Sequence, residues 1–206
     1  MLFRSELALA LVTISVGLYL YSMHIDNIEL LMVEVGNMDS LTDTLNRRSF
    51  HDVLQTEFRR NLRQQISMTA IMVDVDHFKL YNDHYGHIDG DRILISIAEA
   101  LKQSARRPGD FVFRYGGEEF CILCSGVDAG QAAAFAETLR ANVEAMALER
   151  QASPTKKINV SIGYRHADSL APLTPEKLVE DADKALYLAK ANGRNRVENY
   201  LSALAG

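Results

Sequence analysis

The sequence predicts an α/β fold in which helices cover a central sheet. Three observations predict it. Apolar and β-branched runs of strand length alternate with segments whose apolar residues recur every three or four positions. A Gly-Gly pair separates two of the strand-like runs. Hydrophobic residues make up 48% of the 206-residue chain and charged residues 24%, which is enough apolar material for a full core and too much for disorder.

Each element has its own signal. Helix is predicted over residues 48–65, and a strand over 69–75 from the run TAIMVDV. A short helix over 79–85 precedes a longer one over 89–105, where Ile93, Leu94, Ile97 and Leu101 share one face. Strands over 111–114 and 119–124 flank Gly116-Gly117 and read as a hairpin. A helix over 129–150, a strand over 158–164 and a helix over 175–191 complete the order, and Asn192-Gly193 falls where a helix stop is expected. No internal repeat or low-complexity tract interrupts it.

The N-terminal segment is of another kind. Residues 7–23 (LALALVTISVGLYLYSM) are apolar and uncharged, at the short limit for spanning a bilayer. No small-x-small cleavage site follows, which speaks against a secretory signal. Leu7, Leu11, Ile14, Leu18, Tyr21, Ile25, Ile28, Met32 and Val35 step by alternating fours and threes, a heptad seam that runs out of the apolar stretch. Two readings fit: a membrane helix continuing into a parallel two-stranded coiled coil, or a soluble stalk or packing helix. Arg4 precedes the run and no Lys or Arg appears again until Arg47, so charge asymmetry does not orient it. Residues 1–37 are therefore expected to form a transmembrane or coiled-coil helix, and residues 38–206 a folded domain.

Charge and cysteine usage exclude several classes. The net charge of −5 argues against broad nucleic-acid binding, which needs a basic face, but leaves room for a small anion held by a few placed cations. Cys121 and Cys124 are the only cysteines. Three apart on a strand, they point to opposite faces and should not meet, and no second pair exists to complete a zinc site. They are expected to be reduced core residues.

Two segments carry the chemistry. In MVDVDHFKLYNDHYGHIDGD (72–91), Asp74 and Asp76 stand two apart at a strand end, on one side. Adjacent carboxylates repel unless a cation or proton intervenes, so a divalent metal is a natural partner; acidic strand ends without one are also common. In RYGGEEF (114–120), two glycines let backbone approach a ligand and two glutamates follow; alone this also fits a solvated turn. A hairpin bearing Glu118 beside a strand end bearing Asp74 would gather carboxylates around divalent ions, as in-line phosphoryl transfer requires. Lys190 and Arg194, four apart near a helix end, suit phosphates or the helix dipole. Arg107-Pro-Gly-Asp110 reads alone as a charged surface turn.

These residues fall within a wider likeness. Over residues 39–197, in DSLTDTLNRRSF, DVDHFKLYNDHYGHIDGD, RPGDFVFRYGGEEF, NVSIGY and DADKALYLAKANGRNRV, the chain resembles the GGDEF family of diguanylate cyclases, in its GGEEF variant. The resemblance implies a nucleotide-cyclase or palm-like fold with a mostly antiparallel sheet of about five strands. It implies Mg²⁺ (or Mn²⁺) held by Asp74, the Val75 carbonyl and Glu118, with Glu118 also the general base. Lys79 would stabilise phosphate charge, Asn82 and Asp91 would bind guanine, and His87 would lie near the ribose or base. Lys190 and Arg194 would reach the β- and γ-phosphates, and Arg107 with Asp110 would form a product-inhibition site. The implied reaction joins two GTP into cyclic di-GMP in a homodimer, on the cytoplasmic side of a bacterial inner membrane that residues 7–23 contact, or in the cytoplasm. The alternative is a non-catalytic receptor for GTP or cyclic di-GMP, although the glycines and metal acid that such receptors usually lose are all present.

Overall fold

The computed structural model describes residues 36–146, 157–168, 170 and 172–203. The apolar run 7–23 and its heptad seam lie outside the described residues. Among those described, no helix is long and apolar enough to cross a membrane.

A five-stranded sheet in the order β2-β3-β1-β4-β5 forms the middle layer. Its strands are β1 (Met68–Val75), β2 (Phe111–Arg114), β3 (Glu119–Ser125), β4 (Val160–Ala167) and β5 (Val197–Asn199). All pairs are antiparallel except β4 with β5. The central strand β1 is buried along its whole length, which explains its near-continuous apolar run. Its alternating side chains feed two cores. Ala70 and Met72 pack with Phe50 and Leu54 of α1 (Arg47–Gln64) and Leu178 and Leu186 of α5 (Pro175–Ala191). Ile71, Val73 and Val75 pack on the other face against α2 (Phe78–Tyr85), α3 (His87–Ser104) and α4 (Ala129–Ala145).

Local chemistry starts the helices. Asn46 caps α1 by accepting from the Arg48 and Ser49 N–H groups. Asp128 and Gln131 form a reciprocal capping box on α4. Thr174 caps α5, which has Pro in its first turn. Gly163 then lets α5 lie directly on β4, since a Cβ there would run into backbone atoms of Ala182, Ala185 and Leu186. That contact fixes the last turn of α5 above the sheet end.

Several boundaries differ from expectation. β4 starts at Val160 and continues to Ala167, beyond the predicted 158–164, because it pairs with β1 all the way to Met68. β5 and the short α6 (Tyr200–Ala203) had no signal, being too brief for a period to show. α4 ends at Ala145 with Met146 as its cap; residues 147–150 of the predicted helix lie outside the described ones. Cys121 and Cys124 are both buried and free, and they enter opposite cores as their spacing implied. Burial pushes the Cys124 thiol up to about 12, so it is inert at neutral pH.

Candidate active site

Asp74 stands near the end of β1, in register with Glu119 of β3 and Ser161 of β4. It shares a face with Ala70 and Met72 and so points toward α5. There Lys190 Nζ lies 2.7 Å from Asp74 Oδ2. Burial pushes the Asp74 carboxyl up to about 6; Lys190 opposes this, while Glu118 and Glu119 add to it. The carboxyl of Glu118 is also raised, first by burial and then by Glu119, against the pull of Lys190. The Glu118 carbonyl accepts from Val75 N at 3.3 Å. Asp74, Val75 and Glu118 thus meet at two neighbouring strand ends.

This donor set fits a hard divalent cation. Burial raises both carboxyls above their ordinary values, and the one ammonium nearby does not offset it, so each has reason to take a further cation. Among the described residues, no group of three or more His, Cys, Asp or Glu side chains could hold a metal by itself. Mg²⁺ takes one or two carboxylates and completes its shell with water and substrate phosphates.

The hairpin is braced from outside the sheet. Tyr115 N and Gly116 N donate to the Glu119 carbonyl at 2.8 and 3.1 Å. Arg114 Nη2 donates to the Gly117 carbonyl at 2.8 Å, and its Nη1 to Asp39 Oδ1 at 3.1 Å. Asp39 also accepts from Thr42 N and Oγ1 at 2.9 and 2.7 Å. Neither Gly116 nor Gly117 has the left-handed backbone that turn glycines often supply. A Cβ at position 116 would come within 2.6 Å of Glu119 Oε2, the end of a flexible side chain that would have to swing aside, while position 117 faces open space.

Asp76 departs from the expected pairing with Asp74. It lies beyond β1, accepts from Ser161 Oγ at 2.6 Å through Oδ1, and from Asn195 N at 3.0 Å through Oδ2. Both its oxygens are committed to holding β4 and the loop after α5, so the two aspartates do not present a joint metal site.

The expected base-binding residues gather where α2 meets α3. Asn82 Oδ1 is buried without a hydrogen-bond partner and presses on Gly90, the residue before Asp91. Lys79, His87 and Asp91 are exposed and make no side-chain hydrogen bond or ion pair among the described residues. Arg194 is likewise exposed, just past Lys190. Arg107 and Asp110 are brought together, though as partners of each other: Nε donates to Oδ2 at 3.2 Å and Nη2 to Oδ1 at 3.3 Å. The guanidinium lies 5.5 Å from the Phe135 ring centre. A cavity of about 470 Å³ between α1 and α5, lined by Arg47, Phe50, His51, Met72, Tyr115 and Val179 among others, contains none of these expected site residues.

Sequence reasoning missed the braces: Asp39 with Thr42 and Arg114, and Asp76 with Ser161 and Asn195. All of them sit within the recognised motif segments, but no spacing rule marks them, because each acts across the fold.

Residues 36–196 match the family described as diguanylate cyclase, GGDEF domain. The chain belongs to this family. The GGDEF domain is 37% identical over 175 residues to diguanylate cyclase DosC of Escherichia coli (strain K12), covering 83% of this chain and 36% of DosC. It is 38% identical over 159 residues to diguanylate cyclase VdcA of Vibrio cholerae, covering 77% of this chain and 45% of VdcA. The chain therefore spans less than half the length of these relatives. Among solved structures, it resembles the coiled coil and GGDEF domain of DgcB from Caulobacter crescentus in complex with c-di-GMP. That match has a TM-score of 0.77 and 28% identity, over 90% of this chain and 98% of that one. The five-stranded sheet with flanking helices is the GGDEF fold.

Proposed function

We propose that the protein is a Mg²⁺-dependent diguanylate cyclase that condenses two GTP into cyclic di-GMP and two pyrophosphates, acting as a homodimer. The observation that carries this reading is the meeting of Asp74 and Glu118 at adjacent strand ends, with Lys190 on Asp74. Asn82 and Asp91 hold the guanine: a carboxylate accepts from N1–H and the exocyclic amine, a pattern adenine does not offer. Lys79, Lys190 and Arg194 hold the triphosphate by charge. Mg²⁺ (or Mn²⁺), held by Asp74, the Val75 carbonyl and Glu118, supplies charge neutralisation at the phosphates when bound. Glu118, its carboxyl raised toward neutrality, is suited to accept the 3′-hydroxyl proton. The 3′-oxygen forms a bond to the α-phosphorus of the facing GTP, the α–β bridging bond breaks, and pyrophosphate leaves. A second, symmetric transfer closes the ring, so two domains must face each other.

His87, at the first position of α3, would lie beside the ribose or base. The Arg107–Asp110 pair offers a guanidinium half exposed to solvent and fits product inhibition by cyclic di-GMP, whose guanine edges and phosphates suit arginine. The apolar run 7–23 supports membrane attachment with the catalytic domain in the cytoplasm, where GTP resides.

The test is incubation of the purified protein with GTP and Mg²⁺, with the product identified by mass. Cyclic di-GMP and pyrophosphate in a 1:2 ratio are expected, and Glu118→Ala should lower turnover by about a hundredfold or more. Binding of GTP without any pyrophosphate release would support a receptor instead.

A further inference from the structure

The loop after α5 holds an improbable shape. Gly193, Arg194 and Asn195 all have left-handed backbone, with φ of 112°, 63° and 45°. Two of these carry side chains, so the conformation is costly and persists only where its surroundings dictate it. The surroundings are explicit. Arg194 N donates to the Ala189 carbonyl at 3.0 Å, and Asn195 N donates to Asp76 Oδ2 at 3.0 Å. The Asn195 side chain closes a ring with α4: its Nδ2 donates to Glu144 Oε1 at 2.8 Å, and its Oδ1 accepts from Arg140 Nη1 at 2.8 Å. Arg140 Nη1 also reaches Glu144 Oε2 at 2.8 Å, while Glu137 holds the rest of that guanidinium. The Arg140 side chain is only 14% exposed, while the Glu144 carboxylate at the rim of the ring is 40% exposed.

We propose that Asn195 is a positioning residue for the triphosphate, clamped by Arg140 and Glu144 so that α4 sets where Arg194 and Lys190 stand relative to Asp74. The proposal rests on the reading of those two cations as phosphate ligands. Asn195 touches no nucleotide itself. It lies between Arg194 in sequence and Asp76 in space, two residues beyond the strand-end carboxylate that Lys190 pairs with. Asparagine suits the post, since it tolerates the left-handed region and offers one donor and one acceptor to partners that need both.

The ring permits a rescue test. Asn195→Asp keeps the acceptor for Arg140 and the backbone preference but sets a carboxylate against Glu144. Adding Glu144→Gln restores a donor facing residue 195 and leaves the net charge as in the native protein. The readout is the ratio of affinities for guanosine 5′-(α,β-methylene)triphosphate, which cannot release pyrophosphate, and for GMP. In Asn195→Asp this preference for the triphosphate should fall by about tenfold, with GMP affinity unchanged, and the double variant should recover it. In turnover assays, KM for GTP should rise more than kcat falls. An unchanged ratio in Asn195→Asp, or no recovery in the double variant, would overturn the clamp. If the native protein itself does not prefer the triphosphate, the phosphate reading of Lys190 and Arg194 fails first, and the clamp with it. Should Asn195→Asp not fold, Glu144→Ala carries the same test, because it leaves the loop backbone untouched.

Discussion

Asp74 is held at a cost to the fold. Its carboxyl is buried beneath α5 and titrates near 6, above the ordinary aspartate value, because the attraction of Lys190 does not offset burial and the nearby glutamates. The sign of the linkage follows. Above about pH 6 the native state carries a charge it would rather protonate, so the ionised group opposes folding. As pH falls below 6, the native state takes up the proton before the unfolded chain does, and the opposition fades. Asp74→Asn in metal-free buffer should therefore raise stability by about 2 kcal/mol at pH 8. The gain should shrink as pH drops through 6 and vanish near 4, while turnover of GTP with Mg²⁺ is lost. Thermal melts of both proteins in EDTA across that range check it, and a variant less stable than the native protein at pH 8 would refute the account. Stability given up at one carboxylate is what a cation-binding site requires, since a carboxylate already satisfied by the protein has little left to offer a metal.

At the scale of elements, the site depends on α5 lying on β4 without a gap. Gly163 allows that contact; Lys190 stands in the last turn of the same helix and Arg194 in the loop just after it. Gly163→Ala should cost at least about 3 kcal/mol, because the added methyl meets helix backbone and not the end of a flexible side chain. A urea-unfolding midpoint within error of the native protein would show that the helix can rise off the strand freely. The long elements were legible in the sequence for a plain reason: α3 and α5 bury one periodic face each, and β1 buries everything. β5 was not, because its three residues gain their strand character from a parallel neighbour far away in the chain. The site divides the same way. Asp74, Glu118, Lys190 and the Arg107–Asp110 turn could be placed from motif and alternation, since each stands on or beside a strand or helix end. The role of Asp76 could not, because two residues of separation says which side a side chain leaves from and nothing about a loop arriving from 119 positions later. Gly116 and Gly117 mark the hairpin in the sequence, yet neither has positive-φ backbone, and a side chain at 116 would meet only the movable end of Glu119.

For the whole molecule, the proposed chemistry sets a requirement that a single domain cannot meet. Each domain binds one guanosine triphosphate, and each 3′-oxygen must reach the α-phosphorus held by another copy. On the proposed reading, the residues from Asp39 onward would supply one half-site, to which the exposed Lys79, His87, Asp91 and Arg194 would contribute. If the heptad positions 7–35 pair as their spacing predicts, they would raise the local concentration of the second, since tethering converts an encounter between chains into one within an assembly. Two consequences can be measured together. Turnover per chain should rise with protein concentration and level off once pairing is complete. Replacing Ile25 and Ile28 with Glu should move that rise to about tenfold higher concentration or more while leaving the plateau near its native height, because the half-sites themselves are untouched. A plateau that collapses would mean that the helix sets the geometry of the paired domains as well as their proximity. Turnover per chain independent of concentration in both proteins, down to the lowest measurable level, would mean that the seam does not pair the domains.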